Sequence, residues 1–120
     1  GDPAGLVEVV AAGIDMFDCV LPTRHARHGG VLTSTGRLNL RNARFATDDS
    51  PLDSEFPSSP AGRWSRSYLR HLLMTDEPTG GRLLTLHNLA WLLDFVDRLR
   101  VSIETGTFES FRRDTLAVWD

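Results

Sequence analysis

Lysine is missing from this chain: all 13 basic residues are arginine. The only cysteine is Cys19, so no intrachain disulfide can form, which suits a reducing compartment. No apolar run approaches the roughly 20 residues of a membrane-spanning helix, so no membrane partner is expected. The start, Gly1-Asp2-Pro3, is acidic and turn-like and lacks the pattern of a secretory signal. A cytoplasmic location is the expectation. The formal net charge of -3 excludes a chain whose whole surface attracts nucleic acid. A hydrophobic content of 41% over 120 residues is enough for a globular core, in one domain or part of a larger one.

What charge there is falls unevenly. Arg24, Arg27, Arg37, Arg41 and Arg44 lie in a segment, 23–44, that contains no Asp or Glu. Arginine grips phosphate through a planar two-pronged fork. The segment therefore reads either as the footprint of a polyanion or as a solvated loop. In the second case its arginines would pair with Asp48, Asp49 and Asp53 downstream.

Just before it stands Met16-Phe17-Asp18-Cys19-Val20-Leu21-Pro22-Thr23-Arg24. An unpartnered carboxylate inside an apolar run costs several kcal/mol or neutralises itself, so Asp18 needs a reason. The stretch reads as the end of a buried parallel strand, stopped by Pro22, with an arginine-rich RNA-phosphate loop behind it. A turn-capping role for Asp18 stays open on these residues alone. Cys19 reads as a small buried filler, since no spacing argument pairs it with His25 or His28.

The rest of the pattern is mostly helical. Leu6, Val9, Val10 and Ile14 keep helical spacing, with Gly13 as a stop. Residues 31–35 and 37–42 read as two short strands, the second alternating Leu38 and Leu40 with Arg37, Asn39 and Arg41. Residues 46–62 are irregular and rich in Asp, Ser and Pro. Residues 63–77 read as a helix that carries Trp64, Tyr68 and His71, broken by Pro78 and Gly80-Gly81. A long helix is predicted from 85 to 105, burying Leu89, Leu92, Leu93, Val96, Leu99 and Ile103. A last short helix holds Phe108, Phe111 and Leu116.

Gly13-Ile14-Asp15-Met16-Phe17-Asp18-Cys19-Val20-Leu21-Pro22-Thr23-Arg24 resembles the nucleophile segment of bacterial-type tRNA-guanine transglycosylases, the queuine tRNA-ribosyltransferases. Gly36-Arg37-Leu38-Asn39-Leu40-Arg41-Asn42-Ala43-Arg44-Phe45, Pro51-Leu52-Asp53, Ser65-Arg66-Ser67-Tyr68-Leu69-Arg70-His71-Leu72 and Leu83-Leu84-Thr85-Leu86-His87-Asn88-Leu89 resemble the same family in the same order. The resemblance implies an α/β fold, the C-terminal portion of a (β/α)8 barrel that is roughly three times longer. It carries an inserted small subdomain and long C-terminal helices. The implied division is 1–45 for the barrel strand, nucleophile segment and ribbon, 46–88 for the subdomain, and 89–120 for the last helices.

The family exchanges a guanine in tRNA for a queuine-type base. By resemblance Asp18 is the nucleophile that captures the ribose anomeric carbon, as in a retaining glycosidase. Arg24 and Arg27 match positions that hold the RNA. Trp64, Tyr68 and His71 match a homodimer contact, although aromatics at helical spacing are more often core.

The chain departs from the family at its structural zinc. The three thiolate positions are Phe56, Ser58 and Ala61, and only His87 is retained. One imidazole cannot hold a tetrahedral zinc, so no metal is expected, and His87 reads as a hydrogen-bonding residue at a helix start. Residues 46–62 should be loose unless Phe56 plugs the gap. The second catalytic carboxylate and the base-recognition residues belong to barrel strands outside these residues, so the isolated chain is expected to be inactive. A non-catalytic tRNA-binding or dimerisation module is the alternative, and a ligand-free structural remnant the third reading.

Overall fold

The computed structural model describes residues 1–119. Five helices and one two-stranded sheet make a mixed α/β arrangement around a single spine. The spine is helix α4, Pro78–Glu104, whose 27 residues give about 40 Å of axis. The molecule measures 45 × 25 × 23 Å, so α4 runs nearly its full length. Helix α1 (Pro3–Ala11), helix α2 (Leu21–Arg27), strands β1 (Gly30–Thr33) and β2 (Gly36–Asn39), and helix α3 (Arg66–Met74) precede α4. Helix α5 (Phe108–Trp119) folds back after it.

Local chemistry sets most of these ends. Asp2 caps α1, accepting from the Gly5 amide at 2.9 Å, with Pro3 inside the first turn. Ser65 caps α3 by accepting from the Tyr68 amide at 3.1 Å. The hairpin is antiparallel, pairing Gly30 with Asn39 and Thr33 with Gly36. Pro78 does not break a helix but opens α4, with Glu77 accepting from the Thr79 amide at 3.2 Å. Gly80 is needed there for closeness, because a Cβ would stand 2.9 Å from Cβ of Leu72 on α3.

Two apolar clusters flank the spine. One gathers Val31, Leu40, Phe45, Leu52, Leu69 and Leu84. The other gathers Leu6, Val7, Leu32, Trp91, Phe95 and Leu99, with Phe111 and Trp119 of α5 against them. Trp91 stacks on Phe95 with ring centres 5.6 Å apart.

Three expectations fail here. Residues 14–20 form no strand: they are irregular, and Met16 is 88% exposed. A strand exists only against a ladder partner, and β1 and β2 pair with each other and not with this stretch. The arginine-rich loop is in its first part a helix, α2, and Pro22 helps to start it rather than to end a strand. The buried stripe of α4 is also rotated. Leu89 and Leu93 are exposed, whereas His87, Asn88 and Trp91 are buried. The leucine count misled because two polar side chains on the inner face hold hydrogen bonds that leucine could not make. No helix of the described residues is long and apolar enough to cross a membrane.

Candidate functional site

One buried side chain of α4 bonds to both the hairpin and the basic helix. Asn88 is fully buried; its Oδ1 accepts from the Leu32 amide at 3.0 Å. Its Nδ2 donates to the carbonyls of Pro22 and Gly30, both at 3.0 Å. Both amide donors and the carbonyl oxygen are therefore directed at the start of α2 and at β1. Leu83-Leu84-Thr85-Leu86-His87-Asn88-Leu89 was legible as a motif, but its spacing gives Asn88 no role.

Helix α2 carries Arg24 and Arg27 one turn apart, both exposed. They place positive charge in the last turn, where the helix dipole favours it. The proposed pairing of the five arginines with downstream carboxylates does not occur. Asp48 is taken by Arg66 at 3.2 Å. Asp53 accepts instead from the Ser34 amide at 2.8 Å, the Ser34 hydroxyl at 2.7 Å and the Trp91 indole at 3.0 Å. Among the described residues, Arg24, Arg27, Arg37, Arg41 and Arg44 form no ion pair. Arg44 lies over the Phe45 ring at 4.5 Å, and Arg37 meets His25. On β2 the expected alternation holds, with Arg37 and Asn39 outward and Leu38 half-buried.

Asp18 sits just ahead of this helix, exposed, in the irregular stretch before α2. Among the described residues its carboxylate has no ion pair. Cys19 is half-buried, and its Sγ accepts from the Leu21 amide at 3.4 Å.

The aromatic trio is divided, with Trp64 packed against the core and the other two at the surface. Trp64 is half-buried ahead of α3, Tyr68 is 45% exposed and His71 is exposed on α3. Trp64 and Tyr68 border a surface depression with Asp49, Pro51 and Arg63.

His87 lies well inside α4, not at its start, and is fully buried. Its Nδ1 is 2.6 Å from the Ser59 hydroxyl and its Nε2 is 2.8 Å from the Leu32 carbonyl. Burial pushes the imidazole below its usual pKa, against the opposing pull of the Leu32 carbonyl and Asp53. The zinc positions hold a half-buried phenyl ring (Phe56, edge-on to His87 at 6.0 Å), an exposed hydroxyl (Ser58) and a buried methyl (Ala61). With no thiolate and both imidazole nitrogens engaged, these residues do not fit a tetrahedral zinc. Ser59, which the motif comparison passes over, supplies the partner that His87 uses.

The queuine tRNA-ribosyltransferase family model matches residues 1–120. The chain is 48% identical over 120 residues to a queuine tRNA-ribosyltransferase of Agrobacterium fabrum, covering 99% of this chain and 32% of that protein. It is 47% identical over 117 residues to one of Herpetosiphon aurantiacus, covering 98% of this chain and 30% of that protein. One of Caulobacter vibrioides is also 47% identical over 117 residues, with 98% and 32% covered. The chain thus spans about a third of the length of these relatives.

Proposed function

Because the chain belongs to the queuine tRNA-ribosyltransferase family, we propose that it forms the C-terminal barrel portion of a tRNA-guanine transglycosylase. In this reading α2 and the β-ribbon grip the RNA, and Asp18 does the chemistry. The single observation that carries it is the set of five arginines between residues 23 and 44 left without carboxylate partners among the described residues, directly after an exposed aspartate.

The chemistry asked of Asp18 is double displacement. A carboxylate oxygen bonds to the ribose anomeric carbon as the bond to the guanine nitrogen breaks, so guanine leaves with the electron pair of that bond. The queuine-type base then attacks the same carbon and releases the carboxylate. The target guanine must first leave its stack, and unpaired guanidinium groups can hold the flanking phosphates while it does. A second carboxylate and the base pocket would come from the remaining two-thirds of the protein. Trp64, Tyr68 and His71 would meet a second copy, and the subdomain would stand without metal on the Ser59–His87 contact.

A second reading applies to the 120 residues by themselves. Asp18 lies on an irregular segment without a strand to fix its direction, which favours RNA binding without turnover. The test is guanine exchange into tRNA by the full-length protein. Asp18→Asn should abolish exchange while leaving tRNA affinity within about twofold. Exchange by Asp18→Asn at the wild-type rate would refute the assignment.

A further inference from the structure

One cluster is not used by the reading above. His25, in the last turn of α2, faces Arg37 at the start of the hairpin's second strand. Arg37 Nη1 stands 3.1 Å from Nε2 and 3.3 Å from Nδ1 of His25. The approach is built in by Gly30, where a Cβ would lie 2.9 Å from His25 Cβ and 3.0 Å from its carbonyl oxygen. One turn position on, His28 holds the Arg24 carbonyl through Nδ1 at 2.9 Å, which leaves its Nε2 outward. Between them is a cleft of about 180 Å³ lined by His25, His28, Gly30, Arg37, Leu38 and Asn39. Among the described residues its lining contains two imidazoles, a guanidinium and an amide, and no carboxylate.

We propose that this cleft seats a backbone phosphate of the RNA gripped by α2. The proposal rests on the RNA-binding reading above and adds a site and a proton to it. A neutral His25 can offer Arg37 a lone pair; a protonated one cannot, and it adds a like charge at hydrogen-bond distance. The charged and titratable groups acting on His25 are Arg37 from β2, Arg24 and His28 from its own helix, and Asp2 at the head of α1, which alone opposes the rest. Burial first, and then Arg37, Arg24 and His28, keep its pKa below the ordinary value. A phosphate oxygen seated in the cleft beside the imidazole and the guanidinium reverses that balance. His25 takes up one proton from solvent, both ring nitrogens become donors, and no covalent bond changes. Binding that takes up one proton strengthens by at most about tenfold per pH unit as pH falls.

The experiment measures affinity of this chain for tRNA at low salt between pH 6 and pH 8, with NMR titration of the imidazole protons. Affinity should rise about tenfold from pH 8 to pH 6, and the His25 pKa should rise on adding RNA. His25→Asn should lose the rise. Arg37→Gln, exposed on β2, should weaken binding at every pH. RNA binding with the same pH dependence in wild type and His25→Asn, or no movement of the His25 titration, would overturn the phosphate seat while leaving the RNA reading intact. A folded chain that binds no RNA even at pH 6 would overturn both. If inorganic phosphate alone at equal anion concentration moved the His25 titration as far as RNA does, the seat would be one for free phosphate and the RNA assignment of it would fail.

Discussion

The side-chain amide of Asn88 reaches across from the spine helix to donate to the carbonyl of Pro22 at 3.0 Å. Pro22 is in the first turn of the basic helix, so this contact fixes where Arg24 and Arg27 stand relative to the hairpin. A buried amide with two donor bonds and one acceptor bond is costly to disturb, because its partners lose water as well as Asn88. Asn88→Ala should cost about 2–4 kcal/mol in urea denaturation, and Asn88→Asp should cost at least as much by adding a buried charge. Unchanged stability in Asn88→Ala would mean that α2 is held by something else.

Removing charge from α2 should spare the fold. Arg24→Ala and Arg27→Ala change exposed side chains, so stability should move by less than about 0.5 kcal/mol. Each should weaken tRNA binding and lower the slope of log affinity against log salt by about one. An unchanged slope in both variants would remove α2 from the RNA contact.

Acid should attack the Asp53 node. Burial alone would raise this carboxyl, but bonds from the Ser34 hydroxyl and amide, the Glu55 amide and the Trp91 indole outweigh it and hold the pKa below the ordinary range. A group with a lowered folded pKa stabilises the fold above its unfolded pKa of about 3.9, and that stability goes as pH falls through and below it. Asp53→Asn should therefore lower the thermal midpoint at pH 7 and flatten the loss of stability between pH 5 and pH 3. An equal acid loss in the variant would place the responsible carboxylate elsewhere.

His87 gives a separate pH signature. Its imidazole is held neutral by burial, so unfolding releases it to bind a proton whenever pH is below its unfolded pKa of about 6.5. Stability is then full above about pH 6.5 and declines as pH falls beneath that value. Because the Phe56, Ser58, Ala61 and His87 set does not fit zinc, a strong chelator should leave the thermal midpoint unchanged. Ser59→Ala should lower it, by leaving a buried ring nitrogen unpaired. A midpoint that drops with chelator would contradict the metal-free reading.

The exposed aromatics make a prediction about assembly. Tyr68→Ala and His71→Ala should shift the protein from dimer to monomer in sedimentation while changing monomer stability little. Sedimentation identical to wild type in both would return these residues to ordinary surface.

Much of this was readable from residue order, and the failures have physical causes. The hairpin was legible because Leu38 and Leu40 alternate with Arg37, Asn39 and Arg41. The helix at the start was legible because Gly13 follows an apolar repeat. Residues 16–21 misled because an apolar run states that cover is wanted, not that a ladder partner stands in the same chain. The inner face of α4 misled because hydropathy ranks leucine above His87 and Asn88, while burial went to the residues whose hydrogen bonds join three elements. The arginine cluster was legible as charge, but that Asp48 and Asp53 do not pair with it was visible only once they had found other partners. Ser59 had no signal at all: a serine in a Ser- and Pro-rich stretch looks like any other until the imidazole it meets is located.

The account turns on Asp18 forming a bond to ribose. The direct measurement is mass spectrometry of peptides from the full-length protein, denatured during turnover on tRNA in the absence of an incoming base. The account predicts a nucleotide adduct on the peptide that contains Asp18, absent from Asp18→Asn. An adduct on a different carboxylate, or one that persists in Asp18→Asn, would contradict it.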